Sequence, residues 1–119
     1  MSSPTYASSS AKGASVYRNT ALQATPAAAK TSRGRVYGWF INNTNGADTF
    51  VHFYNATTGN VTVGATTPVF TVVVKASSIN QSFTGIPVEF QTATTVAATT
   101  TLGGSTDPAS GLLVQVFYC

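Results

Sequence analysis

The chain has 119 residues, the size of one domain, and only 8% of them are charged, against about 25% in an ordinary soluble domain. Uncharged polar groups must therefore carry the surface, and 20 Thr with 12 Ser supply them. One cysteine excludes an internal disulfide framework and a Cys-based zinc site, and 43% hydrophobic residues exclude a wholly disordered chain.

The net charge of +3 is unevenly spread. Lys12, Arg18, Lys30, Arg33 and Arg35 lie in a stretch without acids, whereas residues 36–119 hold Lys75 against Asp48, Glu89 and Asp107. No basic region followed by an apolar run opens the sequence, so no secretory signal is visible. The longest apolar run, Val69–Val74, is far shorter than the ~20 residues of a membrane helix.

In chain order, residues 1–34 read as an extended basic arm. Ser8-Ser9-Ser10, Ala11-Lys12-Gly13 and Thr25-Pro26-Ala27-Ala28-Ala29 show no sustained period of 2 or 3.6. Small residues bury too little apolar area to offset ordering entropy. Tyr6, Val16-Tyr17 and Leu22 interrupt the run as apolar anchors. With Lys12, Arg18, Lys30, Arg33 and Arg35, the anchors Tyr6, Tyr17 and Leu22 are the candidate partner-binding residues of an arm that orders on a neighbouring subunit. The plainer alternative is a disordered terminus.

From residue 35 the texture is that of strands, and residues 35–119 read as one domain. Arg35–Ile41 alternates, with Arg35, Tyr37, Trp39 and Ile41 on one face and Val36 and Phe40 on the other. Asn45-Gly46 signals a tight turn. Thr49–Tyr54 sets Phe50, His52 and Tyr54 against Val51 and Phe53. A short Val61-Thr62-Val63, then the β-branched and aromatic Pro68–Val74, follow. Ser82-Phe83, Val88–Phe90 after the Gly85-Ile86-Pro87 punctuation, Thr92–Thr101 and Leu112–Tyr118 complete the set, with one long loop over Gly103–Gly111. Seven or eight short strands without helical alternation predict an all-β fold, a single antiparallel β-sandwich or jelly-roll domain preceded by the arm.

Acid–base catalysis needs paired titratable groups, and this chain owns one His, two Asp and one Glu, at no motif spacing. Asp48 and His52 stand roughly 13 Å apart along a strand, too far for a local pair. The nucleophile elbow, the phosphate loop and the dinucleotide fingerprint are missing. These absences predict a non-enzymatic protein with no cofactor and no metal. His52 reads as a strand residue on a half-exposed face, and Cys119 as an inert thiol. Tyr37, Trp39, Phe50 and Tyr54, with His52 among them, form a candidate surface aromatic patch able to bind carbohydrate, the alternative being that they fill the core. Lys75, Asn80 and Glu89 have the chemistry of a Lys–Asn isopeptide cross-link with a catalytic acid, the alternative being ordinary strand-end charges. Five cations with only Arg33-Gly34-Arg35 clustered are thin for nucleic acid and better suited to an acidic protein surface.

An arm of small residues precedes Arg35-Val36-Tyr37-Gly38-Trp39-Phe40-Ile41-Asn42-Asn43, Ala47–Ala56, Val61–Gly64, Thr66–Phe70 and the closing Asp107–Val114. In phrase order and texture, residues 35–119 resemble the small β-sandwich structural proteins of tailed-bacteriophage virions, particularly capsid decoration or cement proteins. The resemblance implies a virion location and a protein that binds the assembled head. It implies the major capsid protein and other virion subunits as partners, with homo-oligomerisation, a trimer favoured, and an arm that staples neighbouring capsomers. The alternative is a tail, collar or fibre component with a receptor- or glycan-binding sandwich. Neither implies a membrane.

Overall fold

The computed structural model describes residues 13–119, and Tyr6 and Lys12 lie outside them. Eight strands form two four-stranded antiparallel sheets: β1 (Ser15–Leu22), β2 (Ala27–Lys30), β3 (Gly34–Asn43), β4 (Thr49–Tyr54), β5 (Phe70–Val74), β6 (Ser78–Phe90), β7 (Thr94–Thr99) and β8 (Leu112–Tyr118). One sheet has the order β1-β8-β3-β6 and the other β2-β7-β4-β5. The pairs β1/β8, β2/β7, β3/β6 and β4/β5 alternate between the sheets, as if one long hairpin had been rolled up. The pairs β3/β8 and β4/β7 then close each sheet. This is the winding of a jelly roll, and it selects that arrangement among β-sandwiches.

Val36, Ile41, Val51, Phe53, Val72, Val74, Phe90, Val96, Val114 and Val116 fill the space between the sheets. Their β-branched and aromatic side chains suit the pleated surface. Phe53 stacks on Phe70 with centroids 4.4 Å apart, and Trp39 packs on Phe70 at 5.4 Å.

The expected boundary at residue 34 is corrected. Ser15–Leu22 and Ala27–Lys30 of the supposed arm are strands of the sandwich, with Leu22 1% exposed and Ala29 also buried. Local periodicity there is weak because β1 and β2 take their ladders from β8 and β7, distant partners that the sequence around them does not reveal. A break in register against β8 at Asn19/Leu22 further obscures the alternation of β1.

The β3 alternation is also corrected. Register shifts between Val36 and Gly38 against both neighbours, so Tyr37 is a bulge. One extra residue exchanges the faces. Val36 therefore points inward together with Trp39 and Ile41. Opposite Tyr37, β6 skips from Phe83 to Val88, throwing out Thr84–Pro87. The Thr84 hydroxyl donates to the Tyr37 carbonyl at 3.1 Å and pins the projection. The two short segments expected around Gly85-Ile86-Pro87 are thus one interrupted strand.

Val61-Thr62-Val63 is no strand. It follows a 3₁₀ turn at Thr58–Asn60, and the Thr62 carbonyl accepts from the amides of Ala65 and Thr66. Val61 packs with Tyr54 and Ala97 in a second small core on the outer face of β2-β7-β4-β5.

At one end of the sandwich, Asn45 ties the β3–β4 turn to two other loops. Its side chain exchanges hydrogen bonds with the Ser110 backbone at 3.0 and 2.7 Å, and its carbonyl accepts from the Ser77 amide. Ser77, in the β5–β6 turn, holds φ at 52°, a left-handed conformation that this bond helps to stabilise.

Candidate assembly surface

In a sheet, directly paired residues point to the same side. Beyond a row that sets Arg35 against Glu89, three further rows cross the outer face of β1-β8-β3-β6. Val16, Phe117, Gly38 and Phe83 make the first, and Arg18, Gln115, Phe40 and Gln81 the second. Leu113, Asn42 and Ile79 make the third. Phe83 is 66% exposed, and Val16 and Ile79 are more than half exposed. Arg18 is the only charged residue in these three rows.

Gly38 makes the first row possible. The Phe83 and Phe117 rings come together over it, centroids 5.0 Å apart. A Cβ at position 38 would meet the Ser82 carbonyl oxygen and stand 2.8 Å from Phe83 Cδ1. Beside these rings lies an apolar groove of about 320 Å³ lined by Gly13, Ala14, Tyr37, Phe83, Phe117 and Cys119. Ile86, at the tip of the Thr84–Pro87 projection, is 85% exposed.

Three cations gather at one end of the domain. Lys30, Arg33 and Arg35 flank the turn between β2 and β3. The Arg33 guanidinium donates to Glu89 Oε2 from Nε at 2.9 Å and from Nη2 at 2.6 Å. Lys30 Nζ lies 5.8 Å from the centroid of the Tyr118 ring. Arg35 exchanges two backbone hydrogen bonds with Cys119. The far end carries Asp48 and Asp107 instead, Asp48 paired with Lys75 at 3.3 Å and Asp107 accepting from the Ala24 amide at 2.8 Å. The Ala76 amide, and then Lys75, hold the Asp48 carboxyl below its ordinary pKa. The charge asymmetry read along the sequence is, within the described residues, an asymmetry between the ends of one folded domain.

The arm residues are redistributed accordingly. Leu22 belongs to the core, Tyr17 packs against it, and Arg18 stands on the apolar sheet face. The aromatic patch dissolves. Tyr37 lines the groove, whereas Trp39 is turned inward by the bulge and donates from Nε1 to Asn80 Oδ1 at 3.1 Å. His52 and Tyr54, only 3% and 2% exposed, lie on the outer side of the other sheet. Residues 64–68 and 102–104 wall in that spot, so His52 is not half-exposed as its strand pattern suggested. His52 Nδ1 and Nε2 each lie 2.8 Å from a hydroxyl, those of Thr71 and Thr99, and burial pushes the imidazole pKa down.

The cross-link geometry is absent. Lys75 precedes β6 and pairs with Asp48, whereas Glu89 stands near the other end of that strand and pairs with Arg33. Both are the strand-end charges of the alternative reading. Among the described residues, no three His, Cys, Asp or Glu come together in a metal-binding group.

Phe83, Ile86, Ile79 and Phe117 are the surface residues the sequence left unmarked. The signal was there: three large apolar residues, Ile79, Phe83 and Ile86, stand among Asn80, Gln81, Ser82, Thr84 and Gly85. Such isolated apolar residues in a polar strand have little core to serve.

Compared with family models, with curated proteins and with solved structures, the chain matches none.

Proposed function

We propose that this chain is a non-enzymatic structural protein of a bacteriophage virion, a capsid decoration or cement protein that binds the assembled head. The observation that carries the reading is the outer face of β1-β8-β3-β6, with Val16, Ile79 and Phe83 exposed and one charge, Arg18, in the three rows that hold them. Monomeric soluble proteins rarely expose contiguous apolar patches beyond a few hundred Å², and larger ones mark interaction sites. The jelly roll supports the reading by analogy, because viral capsid and lectin domains use it. So does the phrase-order resemblance of residues 35–119. The end carrying Lys30, Arg33 and Arg35 supplies a cationic contact for an acidic shell. Tyr37, Trp39 and Tyr54 lie on different faces, which favours head binding over the glycan-binding alternative.

Cryo-electron microscopy of the parent particle tests the proposal. Repeating density of this jelly roll on the head lattice is the expected result. Density confined to the tail or collar, or none on the particle, overturns it. If the basic end contacts the shell, binding weakens as salt rises from 0.05 to ~0.5 M, because the Debye length shrinks from roughly 14 to 4 Å.

A further inference from the structure

We propose that the groove beside Phe83 is filled by Ile86 of a second copy of this chain, and that the two copies exchange these contacts across a two-fold axis. A projecting apolar residue and an apolar hole lie next to each other at the β3–β6 bulge. Ile86 tops the Thr84–Pro87 projection, and Tyr37, the residue opposite it, lines the groove together with Phe83 and Phe117. A knob beside its hole is self-complementary when the second copy is turned about a two-fold axis, and the contact is then isologous. A two-fold pair therefore replaces the trimer implied by the resemblance.

Charge permits the pairing. No charged residue lines the groove, Arg18 is the only one in the three rows, and the adjoining row sets Arg35 against the opposite charge of Glu89, so like-charge repulsion between copies is small. Area permits it too. Four strands spaced about 4.8 Å, matched over about seven residues at 3.4 Å, present roughly 450 Å² of flat surface. With side-chain relief, two copies bury on the order of 1,000 Å², the floor for a specific interface. Thr84–Pro87 adds to it.

This inference rests on the assembly reading above: the second copy takes the apolar face, and the end carrying Lys30, Arg33 and Arg35 is left for the shell. It is tested without a shell, so it can fail while head binding holds, and the converse. Sedimentation velocity of the full chain at ~50 µM in reductant is expected to show a species of twice the 12.3 kDa chain mass. Ile86→Glu is expected to weaken that dimer at least about tenfold, because a carboxylate must then enter an apolar groove. Circular dichroism and Tm are expected to stay unchanged, since the residue is outside the core. Val73→Glu, on the opposite sheet, is expected to remain dimeric. Ile86→Cys places a thiol in the partner's groove, where Cys119 lies, and mild oxidation is expected to give a covalent dimer that Cys119→Ser abolishes. A full-length monomer overturns the proposal, as do a trimer and an Ile86→Glu dimer of undiminished affinity. A chain lacking residues 1–12 is expected to dimerise like the full chain. Dimerisation that appears only on this truncation assigns the groove to residues 1–12 and equally overturns the proposal.

Discussion

The Nε2 of His52 lies 2.8 Å from Thr99 Oγ1, and that hydroxyl donates to the Thr101 carbonyl at 2.6 Å. With its proton committed, the Thr99 oxygen is an acceptor, so the His52 proton sits on Nε2. The Thr71 hydroxyl then donates to Nδ1 across the other 2.8 Å contact, and the imidazole is satisfied as the neutral form. Protonation would set a second N–H against a hydroxyl that now donates, on a side chain that is 3% exposed.

The consequence for pH follows from that burial. In the unfolded chain His52 titrates near 6.5, and in the folded chain lower. Between the two values the unfolded state binds the extra proton, so stability rises with pH there and is lost as pH falls below about 6.5. The slope within that window is at most ~1.4 kcal/mol per pH unit. Urea midpoints of the native chain should fall between pH 7.5 and 5, and those of His52→Gln should fall less. Asp48 does not confuse the measurement. Its lowered carboxyl pKa contributes stability that disappears only as pH drops below the ordinary 3.8.

A second prediction concerns the loop end. Asn43 is fully buried, and its Nδ2 donates to the carbonyls of Ala47 at 2.9 Å and Val74 at 3.1 Å. Its Oδ1 accepts from both the backbone and the side-chain nitrogen of Asn45. Asn43→Ala leaves several buried donors and acceptors without partners, at a cost of about 2–4 kcal/mol. A fall in Tm on the order of 10 °C is expected by thermal unfolding. Asn43→Asp keeps the acceptor, loses both donations and buries a charge, so it should be at least as damaging.

The N-terminal boundary makes the third prediction. A chain starting at Val36 lacks β1 and β2, and with them the buried Leu22 and Ala29 and the ladders to β8 and β7. It is expected not to fold, giving a circular dichroism spectrum without β structure. A chain starting at Gly13 keeps all eight strands and should unfold within a few degrees of the full chain. Leu22→Ala in the full chain should cost about 2–5 kcal/mol through loss of contacts and a residual cavity.

The same boundary marks what the sequence disclosed and what it hid. Strands such as Thr49–Tyr54 and Leu112–Tyr118 were legible because alternation and β-branching act within the segment itself. β1 and β2 were not, since Ala27-Ala28-Ala29 has no side-chain pattern strong enough to name a strand, and its partner Thr94–Val96 lies far along the chain. The outer surface was the least legible. One bulge at Tyr37 moved Trp39 from the expected surface into the core, and the walls of residues 64–68 and 102–104 buried His52 and Tyr54. Insertions of a residue and placements of loops are decided by tertiary packing, which period-2 reasoning does not see.

Gly38 carries the last prediction, because it links that bulge to the apolar face. Phe117 on β8 and Phe83 on β6 flank it on neighbouring strands, and their rings meet above a position without a side chain. An alanine there collides with the Ser82 carbonyl oxygen, and its Cβ stands 2.8 Å from Phe83 Cδ1. The ring is exposed and can swing aside, whereas the carbonyl belongs to the β3–β6 ladder and can yield only by separating the strands. Gly38→Ala should therefore cost about 1–3 kcal/mol, typical of overpacking, with the lower figure reached only if β6 shifts. Chemical denaturation measures that cost. Gly85→Ala is the control, since a Cβ at that position meets nothing within 4 Å and should change stability little. A Gly38→Ala chain as stable as the native one would show that the two rings do not need the gap.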